Sequence, residues 1–178
     1  VEDASQAMGS KYFNNYIGNS QYSDATIFSL HPVKSITTGE GGLTLTNNKK
    51  LADKIMLLRS HGIIKDKTKH WKNDMVSLGY NYKITEFQCA LGISQLKKLN
   101  IFIKKRQQIA KLYIKKFKKF GVLFQESPNL NNYLSAYHYF IIYFKKPLSI
   151  KVQKNFLFYL TRKGIYLGKQ YMPVHKHS

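Results

Sequence analysis

The stretch SDATIFSLHPVKSITTGEGGLTLTN, residues 23–47, decides how the chain is read. An apolar run, Ala25 to Leu30, ends in the turn His31-Pro32-Val33-Lys34. Gly39, Gly41 and Gly42 then lead into a second strand-like run, Leu43 to Thr46. Proline and clustered glycine are the strongest local breakers, so Lys34 is expected on a bend between two strands. A lysine in that position either snorkels its ammonium out of the loop into water or is kept for chemistry, and the local pattern leaves both readings open.

Working outward, the chain has 178 residues, 43% of them hydrophobic, enough for one good core or two small ones. No run approaches the roughly 18 apolar residues of a membrane span, and no signal-peptide pattern opens the sequence. Cys89 is the only cysteine, which excludes an internal disulfide and fits a cytoplasmic location. The formal net charge of +20 invites a nucleic-acid reading. Arg59, Arg106 and Arg162 are the only arginines, however, whereas nucleic-acid readers favour arginine for bidentate and stacked contacts. The abundance of Lys, Ile, Asn, Tyr and Phe together resembles the coding bias of an AT-rich genome. No nucleic-acid or membrane partner is expected, though a positive field would attract a diphosphate. His61, His70, His138, His175 and His177 have no metal-ligand spacing with Cys or carboxylates, and no Walker or Rossmann glycine signature occurs.

Tyr12 to Tyr22, with its Asn and Gly turn signals, reads as a hairpin-like excursion. Asn47-Asn48 caps an expected helix over Lys49–Ser60, with Leu51, Ile55 and Leu58 as its apolar stripe and Gly62 as its stop. Ile63 to Asp74 reads as a polar, lysine-rich loop containing His70 and Trp71. Thr85-Glu86-Phe87-Gln88 matches a capping box opening a helix to about Leu99. A second, amphipathic helix runs from about Asn100 to Phe120, with a solvated lysine face and Gly121 as its stop. Beyond it, Val122–Gln125 and Tyr137–Phe144 read as β-rich, separated by a Pro/Asn loop from Ser127 to Asn132. Ser149 caps a helix over Lys151–Lys163, and Ile165–Leu167 reads as a short strand, together a small α+β segment.

The motifs EDASQA (2–7), FSLHPVK (28–34), TTGEGG (37–42), LRSHG (58–62) and LGYNYKITEFQCALG (78–92) stand in an order and spacing that resemble the DegT/DnrJ/EryC1/StrS family. These are pyridoxal 5'-phosphate (PLP) aminotransferases acting on nucleotide-linked keto-sugars. The resemblance extends from Val1 to about Asn100 and continues more weakly in KKRQQIAKLY (104–113) and YMPVH (171–175). The stretches HPVKSITTGEGG and DMVSLGYNYK are most similar to the branch of the family that serves pseudaminic acid biosynthesis. The implied fold class is α/β, a fragment of a fold-type I PLP-dependent aminotransferase. It would hold part of the large domain's mixed sheet in residues 1–103 and a small α+β C-terminal domain in residues 104–178. The chain is expected to be internal to a longer protein, with the phosphate cradle and a stacking aromatic of the cofactor site upstream of Val1.

The resemblance also implies residue roles. Lys34, the HPVK lysine, is the Schiff-base residue. A nucleophilic amine on a long stem can both bond the cofactor aldehyde and shuttle a proton. Asp3 would keep the pyridine nitrogen of PLP protonated. The residues alone also allow Glu2-Asp3 simply to end a strand and cap the segment after it. Gln6, about one helical turn beyond Asp3, would approach the ring, and Ser29 would bind the cofactor phosphate. Asn81 would reach the phosphate in the neighbouring subunit of a homodimer with shared active sites. Lys83 stands where the family commonly has arginine, keeping the charge but losing the bidentate fork. Tyr171 and His175 would line the sugar-nucleotide site. His31 reads as a turn residue. The implied substrates are a UDP-linked 4-keto-6-deoxy-hexose and an amino-acid donor, by resemblance glutamate. The alternatives are another nucleotide-linked keto-sugar, a non-catalytic binding protein on the same fold, or a basic nucleic-acid-binding module.

Overall fold

The computed structural model describes residues 1–65, 68, 71, 73–125, 132–168, 171 and 174–176. Strand β1 (Glu2–Asp3) leads through two successive turns, with Ala7 N–H on Ala4 C=O and Ser10 N–H on Ala7 C=O, to a small hairpin. That hairpin pairs β2 (Lys11–Tyr12) antiparallel with β3 (Asn15–Tyr16) and is the excursion expected from the Asn and Gly signals. Gln6 therefore lies in a turn, where the sequence spacing had suggested a helical turn.

β4 (Thr26–Ser29) is the central strand of a three-stranded sheet. It pairs parallel with β1, Glu2 beside Thr26 and Asp3 beside Ile27, and antiparallel with β5 (Gly42–Leu45). Its alternating burial sends Thr26 and Phe28 into the core and leaves Ile27 exposed. Partners in register share a face, so Glu2 joins the Thr26 face and Asp3 the Ile27 face. Thr26 is fully buried and donates its hydroxyl to Glu2 Oε2 at 3.0 Å. Gly18 lies against the Phe28 ring so closely that an added Cβ would stand 2.8 Å from it.

Helix α1 (Lys49–Arg59) is capped by Asn48, whose Oδ1 accepts from Leu51 N–H at 3.1 Å. Leu51, Ile55 and Leu58 are half-buried, as the stripe requires, together with Ala52 and Leu57. Gly62, at φ +67°, ends it by donating N–H to Leu57 C=O. The segment read as a polar loop from Ile63 to Asp74 is instead bounded by an antiparallel pair, β6 (Ile63–Lys65) and β7 (Asn73–Met75). Neither strand alternates apolar and polar residues, which left the pairing without a sequence signal. His70 lies outside the described residues.

Helix α2 (Glu86–Leu96) opens with the complete Thr85–Gln88 capping box, and α3 (Leu99–Phe117) continues into a tight turn that Gly121 closes at φ +67°. Ile103 and Ala110 of α3 are buried with Ala4, Ala25, Phe28, Leu30, Ile36 and Ala136. An added Cβ at Gly9 would run into the Ile103 side chain, so α3 packs directly on the turns after β1.

The chain divides into two compact units, one of Val1–Lys116 with Phe124–Ile141, the other of Phe117–Leu123 with Ile142–Ser178. α3 runs through residues 103 and 104 without a break. β8 (Val122–Phe124) and β9 (Ile142–Phe144) form a two-stranded sheet, and in the second unit Phe144 meets Phe156 of α4 (Ile150–Arg162) edge to face. Ser149 caps α4 as its sequence position indicated. Two β expectations are corrected. Residues 137–141 are irregular, the strand beginning only at Ile142, because Tyr137 takes φ +46°, which no strand accommodates. Ile165–Leu167 is exposed coil after the left-handed Gly164, since no strand partner is formed there among the described residues. Residues 127–131 of the Pro/Asn loop lie outside the described residues.

Gly62→Ala should destabilise the full-length protein by roughly 2–4 kcal/mol, from left-handed strain plus overpacking, because the new Cβ would land on the Ser77 carbonyl oxygen. Gly121→Ala shares the backbone strain but meets nothing within 4 Å, and should cost only about 1 kcal/mol. Urea denaturation of the two variants against the parent would measure the difference; equal losses would contradict it.

Candidate active site

Lys34 occupies a loop rooted at both ends. Leu30 N–H donates to Gly41 C=O at 2.9 Å, and Leu30 C=O accepts from Thr38 N–H and the Thr37 hydroxyl. Its neighbours Ser35 and Ile36 are buried, 8% and 3% exposed, which fixes the backbone on either side of the turn. The turn itself is shaped by His31, whose Nδ1 accepts Val33 N–H and whose C=O accepts Lys34 N–H. The Lys34 side chain is half-buried, and among the described residues no hydrogen bond or ion pair ties its ammonium.

Asp3 ends β1 at the same sheet edge at which β4 gives way to the Lys34 loop, because the two strands run parallel. Its Oδ1 accepts both the Ser5 hydroxyl and Ser5 N–H. Those two bonds, and more weakly the Lys34 charge, hold the Asp3 carboxyl below the ordinary carboxylate range against a small opposing effect of burial. The reading of Asp3 as a strand-end cap is thus geometrically real, but it uses one oxygen only. Oδ2 receives no donor from the described residues. Ser29, the last residue of β4, accepts His31 N–H at 3.4 Å, and its hydroxyl proton remains available to donate.

Asn81 and Lys83 are exposed and lie elsewhere in the same unit. The segment is docked on the end of α1, with Asn81 bridged to Ser60, Tyr80 N–H on Leu58 C=O and Tyr82 N–H on Arg59 C=O. Tyr80 and Tyr82 stack at 5.1 Å on one side, so Asn81 between them faces the other. No hydrogen bond or ion pair among the described residues joins Asn81 or Lys83 to Asp3, Ser29 or Lys34 within the chain. Gln6 is exposed near Asp3. Tyr171 and His175 belong to the second unit, both exposed, His175 in the short helical turn Val174–Lys176. Met172, Pro173 and His177 lie outside the described residues.

The structure adds a residue to which no site role had been given. His138 is half-buried, with both ring nitrogens shut from solvent and without a hydrogen-bond partner among the described residues. Leaving such a group unpaired costs about 1–3 kcal/mol. Burial holds its imidazole below the ordinary value, and repulsion from Lys34 and then Arg106 adds to this, so the neutral ring is favoured. The backbone that presents it is strained at Tyr137 and clamped from α3. Arg106 Nη1 donates to Tyr137 C=O at 3.1 Å and His138 C=O at 3.3 Å, and Gln107 Nε2 to Ser135 C=O at 3.2 Å. A lone histidine within the aromatic run YHYF, and a lone arginine in a lysine-rich helix, are the sequence signals that mark this pair.

Residues 1–178, the whole chain, match the model of the DegT/DnrJ/EryC1/StrS aminotransferase family. Over 119 residues the chain is 51% identical to the UDP-4-amino-4,6-dideoxy-N-acetyl-beta-L-altrosamine transaminase of Campylobacter jejuni, covering 67% of this chain and 31% of that protein. It is 35% identical to the Helicobacter pylori enzyme of the same name, covering 100% of this chain and 46% of the relative. The solved structure of Helicobacter pylori PseC, an aminotransferase involved in the biosynthesis of pseudoaminic acid, superimposes with a TM-score of 0.85 at 34% identity, over 99% of this chain and 46% of that one. The chain thus spans less than half the length of these relatives. The α/β architecture, with the mixed β1–β4–β5 sheet at its centre, is that of part of a fold-type I aminotransferase.

The favoured neutral state of His138 has a sign that can be read in stability. Its folded pKa lies below the ordinary 6.5, so the unfolded chain binds a proton first as pH falls. This contribution is full above about pH 6.5 and is lost on acidification towards the folded value. Between about pH 7 and pH 5 the melting temperature should fall more steeply for the parent than for His138→Gln, which has no proton to take up. Parallel curves for the two proteins would contradict the assignment.

Proposed function

The chain belongs to the DegT/DnrJ/EryC1/StrS aminotransferase family, and from that premise we propose that the protein of which it is part moves an amino group from an amino acid, by resemblance glutamate, to a UDP-linked 4-keto-6-deoxy-hexose in amino-sugar biosynthesis, with PLP as cofactor. The observation that carries this reading is the pairing at one sheet edge of an untied lysine amine, Lys34, with an ionised carboxylate, Asp3, that keeps one oxygen free.

The residues fit the cofactor. PLP, when bound, supplies an aldehyde for the amino nitrogen and an electron-withdrawing protonated ring. Lys34 is the amine that would hold the aldehyde. Asp3, with Oδ2 unengaged, would hold the proton on the pyridine nitrogen, and its lowered pKa keeps it an anion for that purpose. Gln6, exposed close by in sequence, would approach the ring. Ser29, with a hydroxyl proton to donate, would bind the phosphate. In one half of the reaction the Lys34 amine takes the proton from the α-carbon of the amino acid. In the other half it delivers a proton to C4 of the sugar. The rooted loop backbone keeps the amine on station while its side chain swings between those carbons.

The whole protein acts as a homodimer with shared sites in this proposal. Asn81 and Lys83, exposed and away from Lys34 in their own chain, would serve the phosphate or substrate in the partner subunit's site. Tyr171 and His175 would line the sugar-nucleotide side. The Campylobacter and Helicobacter relatives are named for a UDP-linked amino-sugar, which supports a product of that class.

Borohydride reduction of the full-length protein with PLP should leave a pyridoxyl group on the peptide that contains Lys34. A label on any other lysine would reject the assignment. The shared site has its own test. Lys34→Ala and Asn81→Ala full-length proteins, each expected to be nearly inactive, are unfolded and refolded together. Random pairing makes about half the dimers mixed, and each mixed dimer has one intact site, so activity should recover to about a quarter of wild type. No recovery, with mixed dimers confirmed by native mass, would reject the shared-site arrangement and leave Lys34 standing.

A further inference from the structure

Between buried Leu30 and buried Ser35 the chain turns through three exposed residues, His31, Pro32 and Val33, and delivers Lys34 at the end of the turn. Packing holds the loop on both flanks, but Val33, directly before Lys34, is 56% exposed. Hydrogen bonds hold this part instead, and among the described residues His31 is party to each of them. Its N–H donates to Ser29 Oγ at 3.4 Å, its C=O accepts Lys34 N–H at 3.0 Å, and its Nδ1 accepts Val33 N–H at 3.3 Å. Pro32 has no N–H to add. The Nδ1 bond imitates the Asx turn, in which an Asp or Asn side chain bonds the backbone two residues on. A ring that accepts at Nδ1 carries its proton on Nε2. That nitrogen faces Glu40 Oε1 across the loop at 3.8 Å. Glu40 is itself fixed, its C=O accepting the Thr38 hydroxyl at 2.7 Å and Gln88 Nε2 at 2.9 Å.

We propose that His31 is a positioning residue for Lys34, its imidazole serving as a side-chain turn acceptor that fixes the Val33 backbone and so the direction in which the Lys34 stem leaves the chain. This rests on the role proposed above for the Lys34 amine. The ring does not touch the reacting atoms; it acts through the backbone. The dihedrals between Val33 and Lys34 set where the Lys34 Cα–Cβ bond points, and the long stem multiplies any error at its root. A reacting group has to be held to within about 0.5 Å, which an exposed turn does not achieve by packing. Without the imidazole, Val33 N–H has only water to donate to, and the turn keeps a single closing bond, from Lys34 N–H to His31 C=O. An Asn at this position would offer Oδ1 to the same N–H, whereas a Phe would keep the ring and offer nothing.

The test uses the cofactor-free full-length protein and two probes. The rate at which the Lys34 amine bonds the aldehyde is read from the change in PLP absorbance on rapid mixing. Pyridoxamine phosphate carries an amine where PLP has its aldehyde, so it binds without bonding Lys34, and calorimetry gives its Kd. In His31→Phe the bonding rate should fall about tenfold, while the Kd for pyridoxamine phosphate moves less than about twofold. His31→Asn should recover the rate to within about threefold of wild type. Melting curves check folding, and His31→Leu replaces His31→Phe if the latter does not fold. An unchanged bonding rate in His31→Phe would overturn the inference. So would an equal loss of affinity for pyridoxamine phosphate, which would mark general damage to the cofactor site. His31→Asn as slow as His31→Phe would also overturn it, since the acceptor would then not be what matters. Wild-type protein labelled by borohydride on a lysine other than Lys34 would reject the Lys34 role and this inference with it. A label on Lys34 with unimpaired bonding in His31→Phe would reject only the inference.

Discussion

Two residues of parallel pairing, Glu2 beside Thr26 and Asp3 beside Ile27, set the geometry on which the candidate site depends. Parallel strands bring their C-terminal ends to one edge, so the carboxylate that ends β1 and the loop after β4 emerge together. Antiparallel pairing would have put them at opposite ends of the sheet. The register matters as much as the direction. A slip of one residue would exchange the faces of Glu2 and Asp3 and leave the wrong carboxylate facing Lys34. The slip is opposed by Thr26, which is fully buried and whose hydroxyl finds its acceptor in Glu2. Moving Glu2 away would take the carboxylate acceptor from a buried hydroxyl and leave it only Ser23 Oγ at 3.2 Å, so a side-chain bond on one face favours the register that serves the other.

The second constraint is a loop that is rigid in its backbone and free at its amine. Gln88 shows how this is arranged. Its Oε1 accepts Thr85 N–H, completing the cap of α2, while its Nε2 donates to Glu40 C=O at the end of the Lys34 loop. One side chain therefore starts a helix and clamps the loop. Asn81 lies four residues before that cap, pinned to the end of α1. Cap and loop are tied by one side chain and the Asn81 segment by separate bonds to the end of α1, and among the described residues none of these bonds draws on the Lys34 ammonium. The proton-moving role proposed for Lys34 would need this combination of a fixed root and an untied tip.

The sequence made local events legible. The HPVK bend, the Asn48 and Ser149 caps, the capping box and the Gly62 stop all rest on side chains within four residues of the feature they create, and all stand in the structure. What depends on distant partners was not legible. The β6–β7 pair carries no alternation, and Tyr137 is bent out of a strand by α3 contacts about 30 residues away in sequence. Ala136 meets Ser10 across 126 residues, so nothing near His138 announces that its segment is tied to the turns after β1. The pairing of Asp3 with Lys34 came from the resemblance of EDASQA and HPVK to a family, not from any pattern between the motifs. The structure supplies its physical basis in strand direction.

Arg106 shows how the chain's large positive charge is divided. On α3, Lys104, Lys105, Lys111, Lys115 and Lys116 are exposed, whereas Arg106 and Gln107 turn inward and act as hydrogen-bond donors. A lysine could supply the charge at position 106, but its single ammonium on a flexible stem lacks the planar geometry that lets one guanidinium nitrogen hold two successive carbonyls. Arginine is spent sparingly in this chain, and here it is used for shape. The net charge of +20 is carried mostly by lysine, and among the described residues the Arg106 guanidinium is a basic group turned inward. It secures the strained backbone at Tyr137 and, through it, the half-buried His138 imidazole, whose pKa the charge of Lys34 helps to lower.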